Sequence, residues 1–245
     1  MYPAVVAWLA AHGLEWLAPL VPKPGVLYMV VMAVVAGLGL HRARAGGLPL
    51  ARGLEAALAG SLGALVGTRL FYVLTRTRFW DLPLAVLADG SRGTASWGAY
   101  LGGIGGVLLY EHWQRIPRLS LVDAAASAAP LGDCIGRINC WLAGDDFGRI
   151  TELPWGIRFP SGSLPWKAHH AAGLIEADAA WSLPVHPLQL LLSALGAVLF
   201  VLASRTWLRH HGQPGITLGT YLAAYGATRF PLEFLRDPAA GGAAT

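Results

Sequence analysis

Arg137 is the residue of this sequence whose type and position most strongly predict chemistry. It lies in the stretch from Gly136 to Arg149, at the end of a run of residues apolar enough to be embedded in a membrane. A guanidinium at hydrocarbon depth is costly unless it faces a polar cavity or an anionic partner. The sequence therefore predicts a buried site for a negatively charged group, and in a membrane the first candidate for that group is a lipid phosphate.

Other charged residues interrupt the apolar segments, and each has a structural alternative. Arg137 could instead pair with Asp133, one helical turn earlier, or extend its side chain to the membrane interface. Arg229 and Glu233 are four residues apart, so they fit an intrahelical ion pair, in which Glu233 could also aim the guanidinium at a lipid. Arg69 could be a further phosphate contact or the partner of a carboxylate.

Two carboxylates, Asp145 and Asp146, follow the apolar segment that contains Arg137. They could orient Arg137 or Arg149, or help to remove a proton from a nucleophile. Solvated loop carboxylates are the alternative. The sequence alone leaves these roles open.

The remaining titratable residues give weaker signals. His186 precedes a proline at the start of an apolar segment, where a hydrogen-bonding structural role is favoured over a base. We expect His169 and His170 to be solvated. Cys134 and Cys140 are six apart on one predicted helix and cannot pair with each other there, so packing thiols are expected. No zinc pattern is present, and neither a metal nor a cofactor is predicted.

The composition is that of an integral membrane protein. The chain is 55% hydrophobic and 13% charged, against about a quarter charged in soluble domains. We predict one all-α, polytopic membrane domain over residues 1–245, with six to seven transmembrane helices. Residues 1–22 are expected to form an interfacial helix or a seventh span. The six main predicted spans are residues 25–40, 53–75, 94–111, 120–142, 186–204 and 214–235.

The arginines in alternate short loops predict the orientation. By the positive-inside rule these loops are cytoplasmic. The opposite side then carries residues 76–92, both termini and residues 143–185, which we name the cap segment and expect to fold as an external cap. The net charge of +4 comes with no basic run that suggests nucleic acid. The arginines concerned are Arg42, Arg44, Arg52, Arg115, Arg118, Arg205 and Arg209.

An ordered set of motifs resembles the bacterial prolipoprotein diacylglyceryl transferase family over about residues 25 to 238. Any one of the motifs would be weak, but their order is specific. They are Gly67-Thr68-Arg69-Leu70-Phe71-Tyr72, Ser96-Trp97-Gly98-Ala99-Tyr100-Leu101-Gly102-Gly103, the stretch from Gly136 to Arg149, Leu153-Pro154-Trp155-Gly156, His186-Pro187-Leu188-Gln189-Leu190, and the stretch from Tyr225 to Arg236.

The resemblance implies an alkyl transfer at the outer leaflet of the bacterial cytoplasmic (inner) membrane. A lipobox cysteine thiolate of a prolipoprotein signal peptide attacks the glycerol carbon of phosphatidylglycerol, forming a thioether and releasing glycerol phosphate. The partners implied are phosphatidylglycerol, prolipoprotein signal peptides and membrane lipid. Such a reaction needs a fixed cation at the phosphate, and arginine suits this because its fork contacts two phosphate oxygens.

The resemblance also implies site residues. The residues with catalytic roles are Arg137, Arg229, Glu233 and Asp145. Those expected to bind substrate are Arg137, Arg229, Arg69, Tyr225, Gly144, Gly148 and Gly98. The glycines also have a packing explanation, since Gly98 recurs with Gly102 and Gly106 at a spacing that permits close helix approach.

The sequence departs from the family pattern at several positions. Cys140 stands where asparagine is usual, Asp145 where glutamate is usual, Trp97 where histidine or tyrosine is usual, and Pro24 where tyrosine is usual. Leu191 and Leu192 follow the His-Pro-x-Gln-Leu motif in place of Tyr-Glu, and a further helix usually follows the last motif. These departures keep an alternative open: a divergent paralog that binds anionic phospholipid or modifies another acceptor.

Overall fold

The computed structural model describes residues 1–21, 23–76 and 96–241. These residues form α-helices and short 3-10 helices joined by loops, with isolated β-bridges and no β-strand among them. Two 3-10 helices span Glu15–Leu20 and Pro238–Gly241. The α-helices are α1 (Tyr2–Ala11), α2 (Pro24–Ala45), α3 (Leu50–Arg76), α4 (Ser96–Trp113), α5 (Ser120–Ala143), α6 (Leu164–Ala171), α7 (Leu188–His210) and α8 (Ile216–Glu233).

The long helices coincide with the predicted apolar spans. Within the described residues, two segments are long and apolar enough to cross a membrane, Leu50–Thr75 and Leu188–His210. Large apolar side chains on α3 are exposed, among them Leu58, Leu65 and Val66. Water would oppose this exposure, whereas lipid would favour it. The all-helical fold is therefore confirmed and consistent with a membrane protein, and the count of six to seven spans stays a prediction.

The N-terminal segment is helical but short. At about 1.5 Å per residue, the ten residues of α1 extend about half the thickness of a hydrocarbon core. This length favours the interfacial alternative for residues 1–22. The predicted external residues 76–92 lie, from residue 77 on, outside the described residues.

The chain divides into two compact units. The first comprises Met1–Val35, Ala129–Leu202 and Tyr221–Thr245, and the second comprises Ala36–Ala128 and Ala203–Thr220. The first unit contains Arg137, Asp145 and Arg229, whereas Arg69 and Gly98 belong to the second.

Glycines bring α3 and α4 into close contact in the second unit. A Cβ added at Gly67 would overlap the carbonyl oxygen of Gly98, and one at Gly102 would overlap that of Gly63. Because the obstacle is backbone, it cannot move aside as a flexible side chain would. Packing alone therefore explains why these positions are glycine, including Gly98.

Buried carboxylates hold helix ends in the second unit. Glu111 is fully buried and accepts backbone N–H bonds from Leu119 (2.7 Å) and Leu121 (2.6 Å) at the start of α5. Asp123 accepts from Gly215 (2.8 Å) and Leu218 (2.9 Å) at the start of α8. Each carboxylate satisfies N–H groups that a helix leaves without internal partners.

The cap segment has a small core of its own in the first unit. Phe147, Phe159 and Val185 are fully buried and pack with Ala240 from the C-terminal region. Backbone bridges join Ile157 to Val185 in an antiparallel sense. The cap segment therefore has buried contacts of its own, and its role as an external cap stays a prediction.

Candidate functional site

Arg137 lies near the C-terminal end of α5, where its guanidinium donates to the Asp146 carboxylate. The second oxygen of Asp146 accepts from Arg236 at 2.8 Å. The side chains of Arg137 and Asp146 are 20% and 23% exposed, so this contact is largely shielded from solvent. One carboxylate thus holds two guanidinium groups that come from segments 99 residues apart in sequence, Arg137 to Arg236.

The ion pairs continue onto α8. Glu233 contacts Arg236 Nε at 3.1 Å with one oxygen and Arg229 with the other. The five residues Arg137, Asp146, Arg236, Glu233 and Arg229 therefore form an alternating chain of charges, which we name the arginine cluster. Three guanidinium groups against two carboxylates leave one net positive charge.

Arg229 retains a donor that the described chain does not use. Its Nη2 pairs with Glu233, while its Nη1 is buried and has no hydrogen-bond partner among the described residues. A buried donor without a partner is costly, so a group that binds there gains the missing bond. The intrahelical pair predicted for Arg229 and Glu233 is present, and it is compatible with a guanidinium aimed at a ligand.

Backbone conformation brings the Asp146 carboxylate to Arg137. After α5 ends, Gly144 has a φ of +86° and Asp146 has a φ of +53°. The first of these favours glycine, and aspartate is one of the few other residues found in this region. The chain therefore turns sharply within three residues and returns a carboxylate to the guanidinium on the last turns of α5.

Gly148 permits the contact that places Arg236 beside Asp146. The two residues Gly148 and Arg236 form an antiparallel bridge, and the Arg149 N–H donates to the Leu235 carbonyl at 2.8 Å. A Cβ at Gly148 would lie 2.6 Å from both the Cβ and the carbonyl oxygen of His186. Only glycine fits here without displacing the backbone at His186 and Leu235.

The Asp145 side chain takes part in none of the ion pairs that define the arginine cluster. Its backbone carbonyl accepts from Gln189 Nε2 at 2.6 Å, and Gln189 is fully buried. Burial raises the pKa of the Asp145 carboxyl, which also forms a hydrogen bond with the Cys140 thiol. A carboxyl with a raised pKa is a better proton acceptor than a solvated one, which suits the general-base role predicted for it.

Asp133 is not the ion-pair partner of Arg137. Its carboxylate accepts the Tyr221 hydroxyl at 2.7 Å, while Arg137 donates to Asp146. Tyr225 follows one turn later on α8, with its ring centroid 5.8 Å from that of Tyr221. Of the three carboxylates that the sequence offered to Arg137, namely Asp133, Asp145 and Asp146, the structure pairs it with Asp146.

The histidines correct one expectation. His169 is buried at 3% exposure rather than solvated, and its Nδ1 accepts the Leu183 N–H at 3.2 Å. Burial lowers its pKa. His170 is exposed and stacks on Trp166. His186 Nδ1 accepts from Trp155 Nε1 at 3.3 Å, the kind of structural hydrogen bond expected for it.

The sequence suggested no role for Arg236, and it offered Asp146 only together with Asp145, as carboxylates that could orient Arg137 or Arg149. Arg236 closes the last motif and stands three residues after Glu233, a spacing that signals a helical ion pair. Asp146 was one of two adjacent carboxylates, and nothing in the sequence distinguishes it from Asp145. No group of three His, Cys, Asp or Glu side chains that could hold a metal occurs in the ranges the structure describes.

The residues predicted from the second unit have their own surroundings. Trp97 is 68% exposed, with its ring in edge contact with that of Tyr100 at 6.4 Å. Gly98 is buried against Gly67, as described above. Arg69 lies on α3. The substrate-binding roles proposed for Arg69 and Gly98 stay predictions.

Comparison with known proteins decides the family. The sequence model of the prolipoprotein diacylglyceryl transferase family matches residues 24–244. The chain belongs to this family. This confirms the resemblance on which the motifs converged, and the match includes every member of the arginine cluster.

Relatives from several bacteria carry the name phosphatidylglycerol-prolipoprotein diacylglyceryl transferase. The Cereibacter sphaeroides protein is 36% identical over 185 residues, covering 72% of this chain and 59% of the relative. That of Caulobacter vibrioides is 34% identical over 195 residues, covering 74% and 62%. That of Geobacter sulfurreducens is 32% identical over 217 residues, covering 86% and 76%. The match thus spans about three fifths of the length of the first two relatives.

Proposed function

We propose that this protein transfers the diacylglyceryl group of phosphatidylglycerol to the cysteine thiol of prolipoprotein signal peptides. The thiolate sulfur forms a bond to the glycerol carbon, and the bond from that carbon to the phosphate oxygen breaks. The electron pair leaves with glycerol phosphate, and the thiol proton passes to a base. The observation that carries this proposal is the arginine cluster, a cationic set of ion pairs whose three arginine side chains are 15–23% exposed, in a chain of this family.

Arg137 and Arg229 take the main electrostatic roles in this reaction. A phosphodiester carries one negative charge in the ground state, and charge builds on the leaving oxygen as the bond breaks. A guanidinium that is already fixed by Asp146 or Glu233 stabilises that charge without reorganising. The buried Nη1 of Arg229 is a donor available for a phosphate oxygen. Tyr225 is proposed to contact the headgroup beside them.

Asp145 is proposed as the group that receives the thiol proton. Its pKa is raised by burial, and it lies on the loop next to Arg137 without being committed to an ion pair in the cluster. Gly144 and Gly148 give the loop the conformation that presents both aspartates. No metal or cofactor has a role in this scheme.

We place the reaction at the outer leaflet of the bacterial inner membrane. Helix α5 begins two residues after Arg118 and reaches Arg137 about 25 Å farther along its axis, at 1.5 Å per residue. Since Arg115 and Arg118 mark a cytoplasmic loop by the positive-inside rule, Arg137 lies near the opposite face. Helix α8 runs in the same sense and ends at Glu233. Phosphatidylglycerol in that leaflet is the lipid substrate proposed, with six or seven spans around the site.

Complementation tests this proposal in cells. The chain is expressed in a bacterial strain depleted of its own diacylglyceryl transferase, and growth and lipoprotein maturation are followed. We expect maturation to be restored by the wild-type chain and not by Arg137→Ala at equal membrane abundance. Absence of rescue by a wild-type chain that inserts normally would contradict the proposal and favour a divergent acceptor.

A further inference from the structure

Asp146 is the only member of the arginine cluster, within the described chain, that joins α5 to the segment after α8. Its two oxygens accept from Arg137 and Arg236, and its side chain is 23% exposed. It is held at a φ of +53°. Aspartate is one of the few non-glycine residues that adopt this conformation, which here directs the carboxylate toward Arg137.

The charge of the cluster depends directly on this carboxylate. With Asp146 and Glu233 ionised, the three arginines leave one positive charge in excess. Without Asp146 the excess would be two. The substrate and the product of the proposed reaction also differ by one unit of charge. A phosphodiester is a monoanion, whereas a phosphomonoester is largely a dianion above its second pKa of about 6.

We propose that Asp146 keeps the arginine cluster at one net positive charge, which matches the phosphodiester of the lipid and lets the phosphomonoester product leave. This inference rests on the proposed function for its biological meaning. Its physical content is a preference between two anions, and that preference can be measured without catalysis. A site with two excess charges would hold the dianion more tightly and release it more slowly.

The size of the effect follows from Coulomb's law. Removing one negative charge beside the site favours any bound anion in proportion to the anion's own charge. The change in the logarithm of affinity is therefore twice as large for a dianion as for a monoanion. If Asp146→Asn strengthens binding of a dianion about tenfold, it strengthens that of a monoanion only about threefold.

The experiment measures direct binding to the purified full-length chain in detergent at about pH 8. The probes are glycerol phosphate as the dianion and dimethyl phosphate as the monoanion. We expect Asp146→Asn to shift the first Kd by about tenfold and the second by about threefold, both toward tighter binding. Asp178→Asn is the matched control, since it removes the same charge from an exposed position in the cap segment and is expected to change neither Kd.

Two further variants separate charge from fold. Asp146→Glu keeps the charge and is expected to keep the wild-type ratio of the two Kd values. Arg236→Gln lowers the net charge by one and is expected to weaken dianion binding more than monoanion binding, in the opposite direction to Asp146→Asn. This pair gives a result even if Asp146→Asn does not fold.

Three results for Asp146→Asn would overturn the inference: equal shifts of the two Kd values, no shift in either, or weaker binding of both probes. Asp146 would then be a residue that only holds the arginines in place. The same holds if Arg236→Gln weakens both probes equally. Because binding is measured directly, a wild-type chain that fails to transfer the diacylglyceryl group contradicts the proposed function alone. In an active enzyme, Asp146→Asn should in addition show stronger product inhibition by glycerol phosphate.

Discussion

Substitution of Arg137 tests the electrostatic centre of the site. Arg137→Ala removes a guanidinium that is 20% exposed and paired with Asp146, and it lowers the net charge of the arginine cluster from one to zero. Arg137→Lys keeps the charge but replaces the planar fork with a single ammonium, which cannot hold a carboxylate and a phosphate in the same bidentate geometry.

The magnitude follows from what such a donor contributes in other enzymes. Loss of one preorganised donor to a developing oxyanion lowers kcat by about 10²- to 10³-fold. We expect Arg137→Ala to reach the upper end, because Asp146 then faces the substrate phosphate with only Arg236 to neutralise it. For Arg137→Lys we expect a loss of about tenfold, since the charge remains.

The assay is the initial rate of diacylglyceryl transfer by purified protein at saturating lipid, with thermal unfolding followed in parallel. Arg205→Ala serves as the control, because Arg205 is exposed on α7 outside the cluster and should leave the rate unchanged. If folded Arg137→Ala retains a rate within about threefold of wild type, far short of the expected loss, Arg137 does not act on the leaving group and the reasoning is wrong.

Three other predictions concern packing, pH and topology. Gly148→Ala should lower the free energy of unfolding by about 1–3 kcal/mol, because the added Cβ meets fixed backbone. Gly226→Ala is the control, since its Cβ meets no atom within 4 Å and should not lower the free energy of unfolding measured by chemical denaturation. Burial lowers the pKa of His169 in the folded protein, so the unfolded state takes up the proton first as the pH falls. The free energy of unfolding should therefore decrease as the pH drops through about 6.5. A pH series in which His169→Gln behaves like the wild type would refute this role of His169. A reporter fused within residues 160–180 should be periplasmic and one at Arg44 cytoplasmic; reversed signals would invert the topology.

Hydropathy predicted the helices well because each long helix is mainly apolar, even where single charges such as Arg69 and Arg137 interrupt it. The segment predicted over residues 53–75 is helical over Leu50–Arg76, and the one over residues 186–204 is helical over Leu188–His210. The helices extend beyond the apolar runs because polar ends such as Arg209 can continue a helix into the interface. Composition could not give the count of spans, since α5 carries charges that lower its hydropathy.

The sequence singled out three of the five members of the arginine cluster. Arg137, Arg229 and Glu233 stand out because they are charges inside apolar segments or at helical spacing, and their roles in a site stay predictions. The sequence offered both Asp145 and Asp146 as carboxylates that could orient Arg137. It could not choose between them, because the choice depends on a positive φ that turns Asp146 toward Arg137. Helical spacing offered Asp133 as an alternative partner, whereas in the structure that carboxylate accepts from the Tyr221 hydroxyl.

Burial of His169 also escaped the sequence. Its neighbours in the chain are polar or small, and its contacts come from Leu183 and from the ring of Phe147 at 6.4 Å. These contacts are set by the core of the cap segment and not by local pattern. Long-range contacts of this kind decide which residues of the cap segment are solvated.

Direct observation of the product tests the central proposal best. Purified protein is incubated with labelled phosphatidylglycerol and a peptide bearing a lipobox cysteine, and the peptide is analysed by mass spectrometry. We expect a diacylglyceryl thioether, equimolar glycerol phosphate and no product when the peptide cysteine is serine. The rate should rise toward the thiol pKa of about 8.5, because the thiolate is the nucleophile and its fraction grows with pH. The proposal would be contradicted if no thioether forms at any pH from about 7 to 9, a range that spans that pKa, while the arginine cluster of the same protein still binds glycerol phosphate.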